Sequence, residues 1–163
     1  MKKTLLISTV IVLGILSLMF WGRSRQTITT HSNTRPSYSL VASEQVFNFG
    51  TISMKDGLVN HTFTITNSSD KDVFIEKVYT SCMCTTAYLE SPSGEKGPFG
   101  MEGMGYLPPA NEALTAGESR DIKVVYDPNA HGPAGVGSID RVIYLIDSSG
   151  KELQLEIQAI VTP

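Results

Sequence analysis

From residue 40 onward, hydrophobic and polar positions alternate. Val59, His61, Phe63 and Ile65 share one parity, while Asn60, Thr62, Thr64 and Thr66 share the other. Successive side chains of an extended backbone point to opposite faces, so this pattern predicts a strand buried on one side. Asn67 to Asp72 (NSSDKD) reads as a turn, and Val73 to Tyr79 (VFIEKVY) as the returning strand. Val46, Phe47 and Phe49 before Gly50-Thr51-Ile52 predict an earlier strand, and Ile122, Val124 and Tyr126 a later one that Asp127-Pro128-Asn129 ends. Arg141 to Ile146 and the run Leu153, Leu155, Ile157, Ala159, Val161 predict a closing hairpin around Ser148-Ser149-Gly150-Lys151. About seven short strands with regular turns and no helical period predict an antiparallel β-sandwich.

The first forty residues follow a different pattern. Leu5 to Trp21 (LLISTVIVLGILSLMFW) is an uncharged, mostly apolar run with lysines before it and arginines after it. It is just long enough to cross a bilayer as one helix. Leu18, Met19, Phe20 and Trp21 offer no small pair for a signal peptidase, so residues 1–25 are expected to stay as a signal anchor. Lys2 and Lys3 place the amino end in the cytoplasm, and the body is expected on the extracytoplasmic side of the cell membrane as a single-pass protein. Residues 26–39 are polar and aperiodic and read as a linker, with 40–163 as the folded domain.

Charge narrows the function classes. The 163-residue chain carries a net charge of −3; Lys2, Lys3, Arg23 and Arg25 contribute four positive charges with no acid among residues 1–25, so the remainder carries −3 − 4 = −7. An acidic body lacks the clustered cations of a nucleic-acid-binding face, so no nucleic acid is expected as a partner. The partners expected are the membrane, through the helix, and a protein of the cell envelope; the oligomeric state is left open.

Both cysteines sit in Thr80-Ser81-Cys82-Met83-Cys84-Thr85-Thr86. In an extended segment the two sulfurs would face one side, with Cα atoms about 6.5–7 Å apart, at the outer limit for a disulfide. Such a pair suits a soft metal ion or an easily reduced bridge better than a permanent staple. Small apolar residues packed at a strand end are the plainer alternative.

Phe47-Asn48-Phe49-Gly50-Thr51-Ile52, Val59-x-His61-x-Phe63-x-Ile65-Thr66-Asn67, Ser81-Cys82-x-Cys84-Thr85-Thr86, Gly117-Glu118 and Val124-Val125-Tyr126-Asp127-Pro128 together resemble the bacterial domain-of-unknown-function family 1573. The resemblance runs from about Val46 to Val161. It implies an immunoglobulin-like sandwich in envelope proteins, often behind a signal or anchor, and no established activity. Met83 stands where the family pattern has glycine, and a long insertion, residues 90–112, replaces a short connection.

That insertion supplies further candidate chemistry. Ser91 to Asn111 (SPSGEKGPFGMEGMGYLPPAN) is rich in glycine and proline, and its lack of any period predicts a loop without strand or helix. Its Met101 and Met104 are soft thioether donors, and thiolate with thioether selects Cu(I). His131 lies in a second glycine-rich turn, Asn129 to Gly137. If the loops share one end of the sandwich, Cys82, Cys84, Met101, Met104 and His131, with Met83 beside them, form a candidate metal site. His61 falls on the apolar parity of its strand, which predicts a half-buried histidine with a partner rather than a ligand.

No H-E-x-x-H, P-loop, nucleophile elbow or dinucleotide fingerprint occurs. The chain reads as a binding module rather than an enzyme, with Cu(I) its candidate ion and a structural or protein-interaction module the alternative. A thiol–disulfide catalyst ranks last, because Lys77 is the single basic residue near Cys82 in sequence.

Overall fold

The structure, a computed structural model, describes residues 39–163, which fall within one compact unit, Pro36–Pro163. The expected anchor, residues 1–25, and nearly all of the expected linker lie outside the described residues. Among the described residues no helix is long and apolar enough to cross a membrane.

Ten strands form: β1 Leu40–Ala42, β2 Val46–Ser53, β3 Val59–Asn67, β4 Val73–Thr80, β5 Thr85–Ser91, β6 Gly94–Phe99, β7 Glu112–Leu114, β8 Ser119–Tyr126, β9 Gly137–Asp147 and β10 Glu152–Thr162. They make two five-stranded sheets, in the orders β1-β3-β8-β5-β6 and β2-β10-β9-β4-β7. All pairings are antiparallel except β2 with β10, which is parallel. The sandwich is therefore as expected, with more strands than the seven read from periodicity.

The buried faces follow the alternation. Phe63 and Ile65 of β3, Ile122, Val124 and Tyr126 of β8, and Leu153, Leu155, Ile157, Ala159 and Val161 of β10 all lie in the core. Full burial of one such side chain contributes about 1.5–3 kcal/mol, enough for each strand's apolar parity to fix its register. His61 is half-buried as expected, stacked on Phe47 with ring centroids 3.6 Å apart and with Nε2 3.2 Å from the Glu44 carboxylate.

The insertion is the clear correction. Its first part is the edge strand β6, paired with β5, and Phe99 is fully buried. Pro98 is tolerated because an edge strand needs only one side of its backbone for pairing. Gly97 has φ +129°, and a Cβ there would stand 3.0 Å from the Ala87 carbonyl oxygen, so glycine permits the close approach to β5. The second part is tied down as well: Lys96 Nζ donates to the carbonyls of Ala110 and Asn111, and β7 closes the edge of the other sheet beside β4.

Candidate metal and thiol site at one end of the sandwich

The β4–β5 and β8–β9 connections both cross from one sheet to the other at the same end. β4 pairs with β9 up to Thr80 opposite Ile143, and β5 pairs with β8 from Thr85 opposite Tyr126, so the two crossings run side by side. The cysteines occupy the first and His131 the second. The adjacency that the sequence left as a condition thus follows from strand order.

The cysteine segment is a turn, not the extended run expected. Thr85 N donates to Cys82 O at 3.1 Å, closing the chain around Met83 and Cys84. The Thr80 hydroxyl lies 3.0 Å from the carbonyl oxygens of both Cys82 and Thr85 and braces the turn from beneath. Ser81 anchors it to β9: its N donates to Val142 O, and its Oγ accepts from Val142 N, each at 2.9 Å. The turn brings the two Cα atoms to 5.3 Å, inside the usual range, and Cys82 and Cys84 form a disulfide.

The two sulfurs have different surroundings. Cys82 is partly exposed, and its Sγ lies 3.1 Å from Nε2 of exposed His131. Cys84 is 3% exposed, and its Sγ accepts from Arg141 Nε at 3.2 Å. Thr85 Oγ1 lies 3.7 Å from the same sulfur. Arg141 is half-buried on the inward parity of β9, between Ile139 and Ile143. Its NH1 donates to the neighbouring Asp140 carbonyl. Burial pushes the Tyr126 phenol above its ordinary pKa, and the Arg141 cation opposes that shift.

His131 is held by a folded loop. Asp127 N donates to Cys84 O at 2.9 Å, and Asp127 Oδ1 accepts from Asn129 N at 2.8 Å. Asn129 Nδ2 reaches across to the Met54 carbonyl at 2.7 Å. A Cβ on Gly135 would stand 3.3 Å from the Pro128 carbonyl and 3.4 Å from the His131 Cβ, so glycine lets the loop close tightly on itself.

The ligand atoms of Cys82, Cys84 and His131 all lie within 4.8 Å of one another. The remaining candidates are placed by backbone. Met101 forms an isolated bridge with Thr80, two residues before Cys82, and is 38% exposed. Met104, whose N donates to Met101 O, is 59% exposed, and Met83 is 53% exposed at the turn itself. Lys77, the basic residue nearest Cys82 in sequence, pairs with Glu102 and lies over the Tyr79 ring. The cation beside a cysteine sulfur is Arg141. The signal was present: a cation on the inward parity of an apolar strand needs a polar partner.

Residues 40–100 match the family described as Protein of unknown function (DUF1573). The DUF1573 match spans β1 to β6 and includes both cysteines, whereas His131 and Arg141 lie beyond it. No curated protein matches the chain. Among solved structures, a protein of unknown function from Porphyromonas gingivalis W83 aligns with TM-score 0.53 and 14% identity over 78% of this chain and 51% of that one. The human ASH/PapD-like domain 7 of CEP192 aligns with TM-score 0.50 and 10% identity over 85% and 96%. The secreted serine protease VesC from Vibrio cholerae gives 0.50 and 14% over 78% and 24%. The chain thus spans about half the length of the first and about a quarter of VesC. These likenesses establish the sandwich fold.

Proposed function

We propose that the folded domain is an extracytoplasmic binding module whose reduced cysteine turn, with His131, takes a Cu(I) ion. The carrying observation is the group of three ligand atoms, two sulfurs and an imidazole nitrogen, within 4.8 Å on loops braced from both sheets. Thiolate and imidazole together suit copper, and three donors fall short of the closed four-ligand set of structural zinc. Charge favours a monovalent ion as well. Two thiolates, one Cu(I) and the Arg141 guanidinium sum to neutrality, which lowers the cost of an ion beside a buried sulfur.

The apolar run 5–21 supports a tether to the membrane. The Cys82–Cys84 disulfide supports a compartment outside the cytoplasm, since such bonds persist where conditions are oxidising. An envelope protein is the partner class this placement suggests.

The test is competition for Cu(I) between the reduced full-length chain and a chromogenic chelator. The native chain is expected to withdraw one ion per molecule, and Cys82→Ser/Cys84→Ser none. Equal affinity in both would sink the metal reading and leave a protein-interaction module. Deleting residues 93–110 is not a clean probe of that alternative, because it removes β6 and the buried Phe99.

A further inference from the structure

The asymmetry between the two sulfurs carries a second activity. We propose that the Cys82–Cys84 disulfide exchanges with external thiolates in one direction, Cys82 receiving the incoming sulfur and Cys84 leaving into the guanidinium of Arg141. The inference does not depend on copper binding, since it concerns the oxidised pair.

Exchange requires a thiolate to reach one sulfur while the other departs with the bonding electrons. Access selects Cys82, because Cys84 is 3% exposed, whereas Cys82 is partly open and flanked by the exposed Met83 and His131. Departure selects Cys84. The negative charge that develops on its Sγ appears 3.2 Å from Arg141 Nε, a donor already in place and carrying a full positive charge. A charge-assisted hydrogen bond strengthens as its acceptor becomes anionic, so Arg141 stabilises the open form more than the closed one. Access and leaving-group stabilisation thus favour the same direction.

The balance is simple. A thiolate RS⁻ bonds to Cys82 Sγ, the Cys82–Cys84 bond breaks, and Cys84 takes the electron pair as a thiolate, leaving a mixed disulfide at Cys82. A second RS⁻ attacks the R sulfur of that mixed disulfide, and RSSR is released with Cys82 as a thiolate. Two thiols are oxidised and one disulfide is reduced. In reverse, Cys84 closes on a mixed disulfide at Cys82 and expels RS⁻. The co-reactant class is a thiol, either a small molecule or a protein cysteine. A glutathione arm and an arm with an unfolded cysteine-containing peptide distinguish these sources.

The oxidised full-length chain is mixed with reduced glutathione in the presence of a metal chelator, quenched with acid, and mapped by peptide mass. Glutathione is expected on Cys82 in at least about ten-fold excess over Cys84, as access to one sulfur dictates. Arg141→Gln is expected to slow ring opening about ten-fold, and Arg141→Lys to recover part of the rate, because the leaving thiolate keeps a cation. Glutathione found mainly on Cys84, or an Arg141→Gln chain of native fold that opens at the native rate, overturns the proposal. A chain that exchanges at Cys82 yet binds no Cu(I) supports this proposal and removes only the metal reading.

Discussion

Arg120 and Arg141 are both half-buried arginines on strands of this sandwich, and their partners differ in kind. Arg120 Nε lies 2.8 Å from Glu112 Oε1 and its NH1 2.7 Å from Glu118 Oε1, with Lys96 closing the cluster on Glu112. Those carboxylates are charged under all ordinary conditions, so the cluster is permanently neutralised and its role is structural. Arg141 has no carboxylate within ion-pair distance among the described residues. Its side-chain partner is the Cys84 sulfur, which is uncharged in the disulfide and anionic when the bond opens. A cation facing a permanent anion holds a fold together; one facing a latent anion favours a change of state.

The largest effect expected from this contrast is on stability, at Glu112. The residue is 5% exposed, and Glu112→Gln leaves Lys96 without its carboxylate and Arg120 with Glu118 alone, a loss of about 3 kcal/mol, or about 10 °C in Tm. Thiol exchange and Cu(I) affinity should stay unchanged, as measured alongside chemical denaturation. The same site sets an acid limit. Burial raises the Glu112 carboxyl, but hydrogen bonds from Lys96 and Arg120 outweigh it and hold the group below its ordinary value. At Asp147, burial is likewise outweighed, here by hydrogen bonds from Ser149 and Ser39. A depressed carboxylate contributes stability above its unfolded pKa, about 4, that is lost as pH falls through the folded value. Urea midpoints should therefore drop below about pH 4, less steeply in Glu112→Gln, and an identical slope in the variant would refute the assignment.

The contrast sharpens at Arg141. Arg141→Gln should cost the oxidised domain little but the reduced domain about 2 kcal/mol more, the scale of a hydrogen bond to a charged group. Denaturation of each redox form reads this difference. Equal losses in both would make Arg141 a structural cation like Arg120.

Much of this arrangement was legible in the sequence, and the limits have physical causes. β3, β8 and β10 were readable because large apolar side chains mark one parity. β5 was obscured because its buried face includes Thr85 and Ala87, too small or polar to register as core, and β6 because glycine and proline usually break strands. The soft-ligand set was visible as C-x-C and a histidine between glycines, but their convergence depends on two crossings running side by side. Nearness in sequence singles out Lys77, whereas the inward parity Ile139-x-Arg141-x-Ile143 is the better guide to the cation beside Cys84.

A smaller effect is expected at Gly135, which governs His131 without touching the sulfurs. A Cβ there meets the Pro128 carbonyl at 3.3 Å and the His131 Cβ at 3.4 Å, so Gly135→Ala requires the Pro128 carbonyl to give by a few tenths of an ångström. Overpacking of this kind costs about 1 kcal/mol and should weaken Cu(I) binding while glutathione still adds to Cys82. Unchanged copper affinity would show that His131 is not held by this contact, or is not a ligand.

The smallest effects belong to the methionines, and their order is informative. Met101 is fixed by its bridge to Thr80, two residues from Cys82, whereas Met104 lies three residues further along an exposed turn. Neither thioether carries a charge, so each contributes less than a thiolate to holding Cu(I). Met101→Ala should lower affinity a few-fold and Met104→Ala less, in the same chelator competition. If Met104→Ala costs more, the second methionine reaches the ion from the open side of the turn. If neither changes affinity, Cys82, Cys84 and His131 bind the ion unaided, and the contrast between the two arginines accounts for the rest of the site's chemistry.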